Sequence, residues 1–346
     1  METGPLSSRT AGPGETRFFN MTCFDAHSDL LYDVTHRRLA GEDHVLETHH
    51  LDRLRRGGVE GLVLALWYGA GDGHTFWKDV PGADGEAARL GIMMDCARAE
   101  LAGCSQLRTV RTVREAEAAR EAGELYAFLG IEGMAALGTD AGAIDRCYES
   151  GVRLGMLTWN EENALAAGAG GDPQKGLTPA GRTAVRRMRD LGMLVDVSHL
   201  NDGGFWDVMD LAGGPVIASH SNCRALCGVR RNLTDDQLRA VRDTGGVVGL
   251  NVYHRFVHDD PARQTAETLA RHAAHMAEVM GVEHVGCGFD FCEFMGPPDN
   301  DGAAGLEDAS RIGNLFCALE KLGMSREERE LIARGNFLRV FRQVLG

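Results

Sequence analysis

Several features that mark whole classes of protein are missing from this chain of 346 residues. None of its apolar runs approaches the ~20 residues that a membrane-spanning helix needs. Lys and Arg form no block, and the formal net charge is −14. A surface that binds a phosphate backbone needs clustered positive charge, so nucleic acid is not an expected partner. The acidic excess instead favours solubility.

The sequence also lacks the signs of a secreted, disulfide-stabilised scaffold. Its nine cysteines are odd in number and irregularly spaced, which indicates reduced thiols in a cytoplasmic protein. Cys223 and Cys227 lie close together, but no second pair completes a zinc knuckle, so we expect buried thiols there. Residues 1–20 have no apolar stretch of the kind that a secretory signal contains. They predict a disordered extension ahead of a single folded domain over 21–346.

What the sequence does contain is a regular alternation of apolar, β-branched runs and helical patterns. The predicted first helix lies near 46–56, and the last helical region covers 306–344. Such alternation implies parallel strands, and eight repeats favour a closed (β/α)8 barrel of the TIM type. A doubly wound open sheet is the competing topology. The eight predicted strands are 23–27, 59–67, 125–131, 153–158, 193–198, 215–219, 246–252 and 284–289.

Side chains that bind metals or move protons occur where five of these runs end. In a (β/α)8 barrel the downstream strand ends share one rim, where such enzymes do their chemistry. Imidazole and carboxylate groups together suit zinc. An isolated histidine at a strand end is more often structural, but this combination predicts a metal centre. The candidates are His27, Asp29, Glu132, His199, His220 and Asp290.

Individual candidates have distinct expected roles. His27 and Asp29 are two residues apart, so alternation along a strand would point both side chains at one metal. The two oxygens of Glu132 could bridge two cations, although a helix cap or a salt bridge is the alternative. Asp290 could bind metal or carry a proton.

The predicted rim also includes groups that could recognise a substrate. Arg231 follows His220 in the loop before a predicted helix, where its guanidinium could bind a carboxylate through two hydrogen bonds. A surface salt bridge is the alternative. His74 and His254 are further rim candidates. Long loops that could shape a pocket cover residues 69–86, 161–177 and 292–305.

In combination, these motifs resemble the membrane (renal) dipeptidase family of the amidohydrolase superfamily, in a bacterial-type form without an anchor. The resemblance extends over roughly residues 22–345 and implies a (β/α)8 barrel with two zinc ions. The stretches that carry it are 25–30, 130–133, 196–199, 219–222, 230–238 and 284–291, with 305–308 and 335–340 near the C-terminus.

The resemblance also assigns roles by position. Asp290 becomes the general acid and base, and Arg231 binds the C-terminal carboxylate of a dipeptide. No carboxylated lysine is needed, and none of the eight predicted strands ends in lysine. The two zinc sites share one glutamate, with His27, Asp29 and Glu132 around one ion and Glu132, His199 and His220 around the other.

The sequence departs from the family in two places. Trp159 stands where better-known members have a substrate-contacting histidine, which predicts a flatter and more apolar pocket without an acid or cation at that point. The run that starts at Asp290 continues as Phe291-Cys292-Glu293 instead of the usual aromatic-Asp-Gly. Both departures bear on the identity of the substrate more than on the reaction.

The resulting hypothesis is a cytoplasmic, zinc-dependent dipeptidase. It would hydrolyse dipeptides that have a free C-terminal carboxylate, including those with a C-terminal D-residue, through a hydroxide shared by two metals. Another amidohydrolase reaction is the first alternative, such as N-acyl amino-acid deacylation or lactone opening. A non-catalytic binding barrel is the second. The only expected partner is the small dipeptide substrate, with a homodimer left open.

Overall fold

The computed structural model describes residues 21–69, 76–296 and 302–346, so the predicted extension over 1–20 lies outside the described residues. These parts of the chain contain nine β-strands, numbered in chain order. They are β1 Cys23–Ser28, β2 Val59–Leu66, β3 Leu107–Thr109, β4 Leu125–Glu132, β5 Val152–Met156, β6 Leu194–Asp196, β7 Val216–Ile217, β8 Val248–Leu250 and β9 Val285–Cys287.

Helices follow most of the strands and form the outer layer. Short 3-10 and π-helical turns connect several of them. The α-helices of the described residues are α1 Leu30–Leu39, α2 Leu51–Arg56, α3 Glu86–Gly103, α4 Val113–Glu121, α5 Ala141–Glu149, α6 Pro179–Leu191, α7 Asp202–Leu211, α8 Asp235–Asp243, α9 His254–Val257, α10 Ala266–Met280, α11 Gly313–Lys321, α12 Arg326–Glu330 and α13 Asn336–Leu345.

The sheet is parallel and forms a closed ring of eight strands, as the sequence predicted. Six strands pair in the order β1-β2-β4-β5-β6-β7, and β8 pairs with β9. A parallel bridge between Ala218 and Val248 joins β7 to β8. The backbone N–H of Asp290 donates to the carbonyl of His27 at 3.2 Å and joins β9 to β1. The doubly wound alternative is therefore wrong.

Two kinds of feature make the closure near β9 possible. The carboxylate of Asp25 accepts hydrogen bonds from the backbone N–H groups of His27 at 3.3 Å and Phe289 at 2.8 Å, so it fastens β1 to the end of β9. Gly249 and Gly288 let the backbones come close together. A Cβ added at these positions would lie 1.9 and 1.7 Å from the carbonyl oxygen of Ser219.

Three of these elements, β3, α1 and the four-residue α9, were missed from the sequence. β3 pairs with the first part of β4, along the edge that β5 occupies further on. It has three residues, of which only Leu107 is buried, so no apolar run marks it. α1 begins directly after β1, well before the predicted first helix near 46–56. Its buried Leu30, Leu31 and Val34 have helical spacing.

The interior of the ring is filled at its lower end by apolar side chains and is polar at the upper, downstream end. Phe337 and Phe341 of α13 close the lower end against Phe24 and Phe128, with the Phe24 and Phe341 ring centroids 5.3 Å apart. The upper end is not filled in this way and holds polar side chains. The inward-packing apolar residues are Val247, directly before β8, and the strand residues Phe24, Ala26, Val63, Tyr126, Phe128, Leu154, Leu194 and Ile217.

Two further predictions concern the cysteines and the helices. All nine cysteines are free, and Cys223 and Cys227 are buried as expected. Among the described residues, no helix has both the length and the apolar character that crossing a membrane requires.

Candidate metal centre

The barrel brings together all six side chains that the strand ends predicted. His27 lies in β1 and Glu132 ends β4, whereas the others follow their strands by one to three residues. The six residues are buried or nearly buried at the upper end of the ring. The described residues that could hold a metal fall into two groups, His27, Glu132 and His220 in one and His27, Asp29 and Asp290 in the other.

One group of ligand atoms surrounds the imidazole of His27. Its Nε2 lies 3.5 Å from Oδ1 of Asp29, 3.2 Å from Oε2 of Glu132 and 3.8 Å from Oδ1 of Asp290. Nε2 of His27, Oδ1 of Asp29 and Oε2 of Glu132 are buried, yet none of them has a hydrogen-bond partner within the described residues. Buried polar atoms are normally satisfied. A cation between them would satisfy all three, so these residues fit a metal.

A second group of atoms surrounds the other oxygen of Glu132. Its Oε1 lies 2.7 Å from Nε2 of His199 and 3.8 Å from Nε2 of His220, and the two nitrogens are 2.9 Å apart. The Nδ1 of His199 lies 3.0 Å from Oδ1 of Asn160. An amide oxygen only accepts, so that Nδ1 carries the proton and Nε2 presents a lone pair. A hydrogen bond from the nitrogen that faces away from a metal orients a histidine ligand in this way.

The mutual orientation of His27 and Asp29 has a different origin from the one predicted. Strict alternation along β1 would turn His27 away from the interior, because Ala26 already packs inside. The pairing register of β1 shifts between Asp25 and Ser28, and such irregularities re-aim side chains. Asp29 lies beyond the strand at the N-cap of α1 and makes no side-chain capping bond, so its carboxylate remains available to the centre.

Burial dominates the acid–base properties of the carboxylates. It raises the pKa of Glu132 to about 8, and the nearby charge of Asp29 adds to this. Burial likewise raises the pKa of Asp290 to about 6, against the effect of His27 and together with that of Asp29. Three buried carboxylates so close together favour a positive charge between them, which a bound cation supplies.

The three imidazoles respond to their surroundings differently. Burial opposes the charged form of His27, but the carboxylates of Glu132 and Asp29 outweigh it and raise its pKa. Burial lowers the pKa of His199 and His220 well below the usual value, with Arg231 contributing to His199 and His27 to His220. The latter two are therefore neutral, as metal-binding imidazoles must be.

Two of the candidates adopt a strained backbone conformation. The φ angles of His199 and Asp290 are 70° and 59°, in the left-handed region that side chains other than glycine rarely adopt. Such strain persists where the surrounding structure enforces it, and it concentrates at functional sites.

Two asparagines hold candidate residues in place and were missed from the sequence. Asn160 contacts His199 as described. Asn251 follows β8 and donates from Nδ2 to Oδ2 of Asp290 at 2.9 Å. Asn251 is itself fixed by Asn222, whose side chain pairs with its backbone N–H and carbonyl at 3.0 and 2.9 Å. Both asparagines follow strand ends, so the rule used for the ligands would have found them if amides had been included.

Arg231 lies beside the centre and does not form the surface salt bridge that was its alternative. It is 7% exposed, and burial lowers the pKa of its guanidinium to about 10. The group donates weakly to Oγ of Ser221 at 3.4 Å and to the carbonyl of His220 at 3.3 Å. Among the residues that the structure describes, its Nε has no hydrogen-bond partner and no carboxylate forms an ion pair with it. Such a cation can receive an anion.

A cavity of about 430 Å³ opens above the metal centre, and Arg231 lies behind its lining residues instead of among them. Trp159 forms part of its wall and lies over His199, with ring centroids 6.1 Å apart. His254 begins α9 but does not line the cavity, and His74 lies outside the described residues. The predicted loop 292–305 contributes through its first residues. The cavity is lined by Asp29, Trp67, Glu132, Trp159, Asn160, His199, Tyr253, Arg255, Phe256, Asp290, Cys292 and Met295.

The closed parallel barrel and the cluster of carboxylates and imidazoles at its rim define a metal-dependent hydrolase of the amidohydrolase type. Residues 18–345 match the family model described as membrane dipeptidase, peptidase family M19. The chain therefore belongs to this family of metallo-dipeptidases, as its motifs predicted.

The chain is also similar to individual proteins. An uncharacterized protein in the pqqA 5′ region of Klebsiella pneumoniae is 34% identical over 69% of this chain and 89% of its own length. An uncharacterized dipeptidase of Schizosaccharomyces pombe is 36% identical over 63% of this chain and 53% of its own length. This chain thus spans about half the length of the yeast relative.

The fold has a similar counterpart among solved structures. A metallo peptidase from Rhodobacter sphaeroides, liganded with a phosphinate mimic of the dipeptide L-Ala-D-Ala, superimposes with a TM-score of 0.81 at 26% sequence identity. The match covers 94% of this chain and 99% of that one.

Proposed function

We propose that this protein is a zinc-dependent dipeptidase with two metal ions per chain. The observation that carries the proposal is the position of Glu132 between two sets of ligand atoms. Its Oε2 faces His27 at 3.2 Å, and its Oε1 faces His199 at 2.7 Å. One carboxylate that serves two neighbouring sites is the donor arrangement that a binuclear centre needs.

The donor set favours zinc. Imidazole nitrogens and carboxylate oxygens without thiolates are common in catalytic zinc sites. Metal ions at such a centre polarise a carbonyl and lower the pKa of water toward neutrality. The ions would be held by His27, Asp29 and Glu132 and by Glu132, His199 and His220.

Arg231 would recognise the free carboxylate of the substrate. Its guanidinium is buried, and within the described parts of the chain its Nε is unpaired and no carboxylate is its partner. A substrate carboxylate supplies the missing charge, and a charge-assisted contact of this kind contributes about 1.5–3 kcal/mol. The requirement for a free C-terminal carboxylate would follow from this contact.

Asp290 would carry the proton between the attacking water and the leaving amine. Oδ2 is held by Asn251 at 2.9 Å, and Oδ1 lies 3.8 Å from Nε2 of His27 at the edge of the centre. The fixed carboxylate can therefore accept a proton from water and deliver it to the nitrogen of the cleaved amide.

Two finer properties belong to the same proposal. The Rhodobacter sphaeroides relative is liganded with a mimic of L-Ala-D-Ala, so we propose that this enzyme accepts a D-residue at the C-terminal position. The nine free cysteines favour a reducing compartment such as the cytoplasm.

A screen of zinc-loaded protein against L,L- and L,D-dipeptides, N-acetyl amino acids and lactones tests this function. We expect turnover of free dipeptides and little turnover of dipeptide amides. Preferential hydrolysis of N-acetyl amino acids would favour a deacylase instead. No turnover of any compound by protein with a full metal complement would leave a binding barrel as the better description.

A further inference from the structure

Two tryptophans form one wall of the cavity, and none of the proposed steps uses them. Trp67 directly follows β2, and Trp159 follows β5. Their ring centroids are 5.5 Å apart, and both line the cavity. Indole rings that face a binding cavity offer a large apolar contact area.

Further aromatic side chains support this wall from behind. Tyr32 of α1 packs on Trp67 with ring centroids 5.0 Å apart, and Phe76 packs on Tyr32 at 5.2 Å. Trp67 is 5% exposed. A wall supported in this way cannot easily move aside, so its shape selects what binds.

Trp67 lies across the ring from the proposed carboxylate site, and Trp159 follows β5, which is two strands from β7. Arg231 belongs to the loop between β7 and β8, and Trp67 follows β2. β2 and β7 lie opposite each other in the ring of eight strands. Three strands separate them in either direction, β4, β5 and β6 on one side and β1, β9 and β8 on the other. A dipeptide with its carboxylate at Arg231 and its amide above Glu132 therefore extends its N-terminal residue toward the tryptophans.

We propose that Trp67 and Trp159 form the subsite for the N-terminal side chain of the dipeptide and select large apolar or aromatic side chains there. This inference rests on the proposed function for the direction in which the substrate lies. The preferred substrates are then dipeptides with residues such as Phe or Leu in the N-terminal position.

Two matched substrate series test the subsite. Phe-Ala, Leu-Ala, Ala-Ala and Gly-Ala vary the N-terminal side chain, and Ala-Phe, Ala-Leu and Ala-Gly vary the C-terminal one. We expect kcat/KM to rise at least about tenfold from Gly-Ala to Phe-Ala. In Trp159→Ala this ratio should fall toward one, while the ratio of Ala-Phe to Ala-Gly stays within about twofold.

Two further variants keep the result interpretable. Trp159→Phe retains a ring and should preserve most of the selectivity, even if Trp159→Ala folds poorly. Trp206→Ala removes a tryptophan of α7 that is 43% exposed and outside the cavity, and it should leave both ratios unchanged. Equal loss of both ratios in Trp159→Ala, or no preference for Phe-Ala in the parent, would overturn the inference.

A binding measurement separates this inference from the dipeptidase proposal. Phosphinate mimics of Phe-Ala and Gly-Ala can be titrated into zinc-loaded protein by calorimetry without any turnover. Tighter binding of the Phe mimic, lost in Trp159→Ala, would support the subsite even if no dipeptide is hydrolysed. Equal affinity for both mimics alongside good hydrolysis of dipeptides would refute the subsite and leave the dipeptidase proposal intact.

Discussion

The lower and upper ends of the barrel interior are built by the same strands and have opposite character. β4 supplies Phe128 below and Glu132 above, four residues apart on the same face. At the lower end, the ring centroid of Phe128 lies 4.9 Å from that of Phe341, and the space is filled. At the upper end, several buried carboxylate and imidazole atoms have no hydrogen-bond partner among the residues that the structure describes.

This difference shows how one strand can serve stability and chemistry separately. Close packing of aromatic rings stabilises the fold, whereas unpaired buried charges cost stability unless a ligand satisfies them. Substitutions at the lower end should therefore change unfolding and leave the reaction intact. Substitutions at the upper end should impair the reaction and change the free energy of unfolding little.

Glu132→Gln should give the largest functional effect. The amide removes the shared negative charge, so we expect loss of metal and a fall in kcat/KM of about three orders of magnitude or more. The metal-free variant should melt no lower than the metal-free parent, since an amide avoids the cost of burying an ionisable carboxyl group. Elemental analysis, kinetics and calorimetric melting of both proteins provide the measurement. Retention of a full metal complement would contradict the bridging role.

Asp290→Asn should separate proton transfer from metal binding at the same end of the barrel. The amide cannot take up the proton, so kcat should fall by about two to four orders of magnitude while the metal content stays at the parental value. Near-parental kcat would remove Asp290 from the reaction. Loss of metal would make it a ligand instead.

Phe341→Ala should show the opposite behaviour at the lower end. Removing this ring leaves a cavity against Phe24 and Phe128, and the free energy of unfolding should fall by about 3–5 kcal/mol. The metal content and KM should remain parental at temperatures where the variant is folded. Denaturant titration with parallel kinetics would show this, and Phe341→Leu serves as the milder control. A change in KM that matches the stability loss would mean that the two ends are coupled.

Arg231→Met should give the smallest of these effects. We expect kcat/KM for free dipeptides to fall by about one to two decades, because one charge-assisted contact is lost. Dipeptide amides lack that charge and should be affected much less. Kinetics on matched acid and amide pairs distinguish the outcomes. An equal loss on both would speak against a carboxylate clamp.

The position of the site at the upper end of the barrel was easier to predict from the sequence than the orientation of its side chains and the residues that support them. Strand ends with ligand-type side chains identify the rim, because parallel strands place all their downstream ends together. The re-aiming of His27 by a register shift in β1 could not be predicted, since it depends on pairing with β2. Asn160 and Asn251 were missed because amides do not titrate and were not considered as candidates.

The alternation of strands and helices was predictable from the sequence, whereas the short elements were less so. Eight apolar runs gave the strand count of the ring. β3 escaped because three residues with one buried side chain leave no pattern. The packing of Phe337 and Phe341 across the lower end of the barrel could not be predicted, because a helical pattern near the end of a sequence does not show what the helix packs against.

Metal analysis of the purified protein tests the binuclear centre most directly. Protein expressed with zinc and dialysed against metal-free buffer should contain about two zinc ions per chain. Chelation should abolish dipeptide hydrolysis, and restoring two equivalents of zinc should recover it. A protein that holds no metal and gains no activity when zinc is added would contradict the proposed centre.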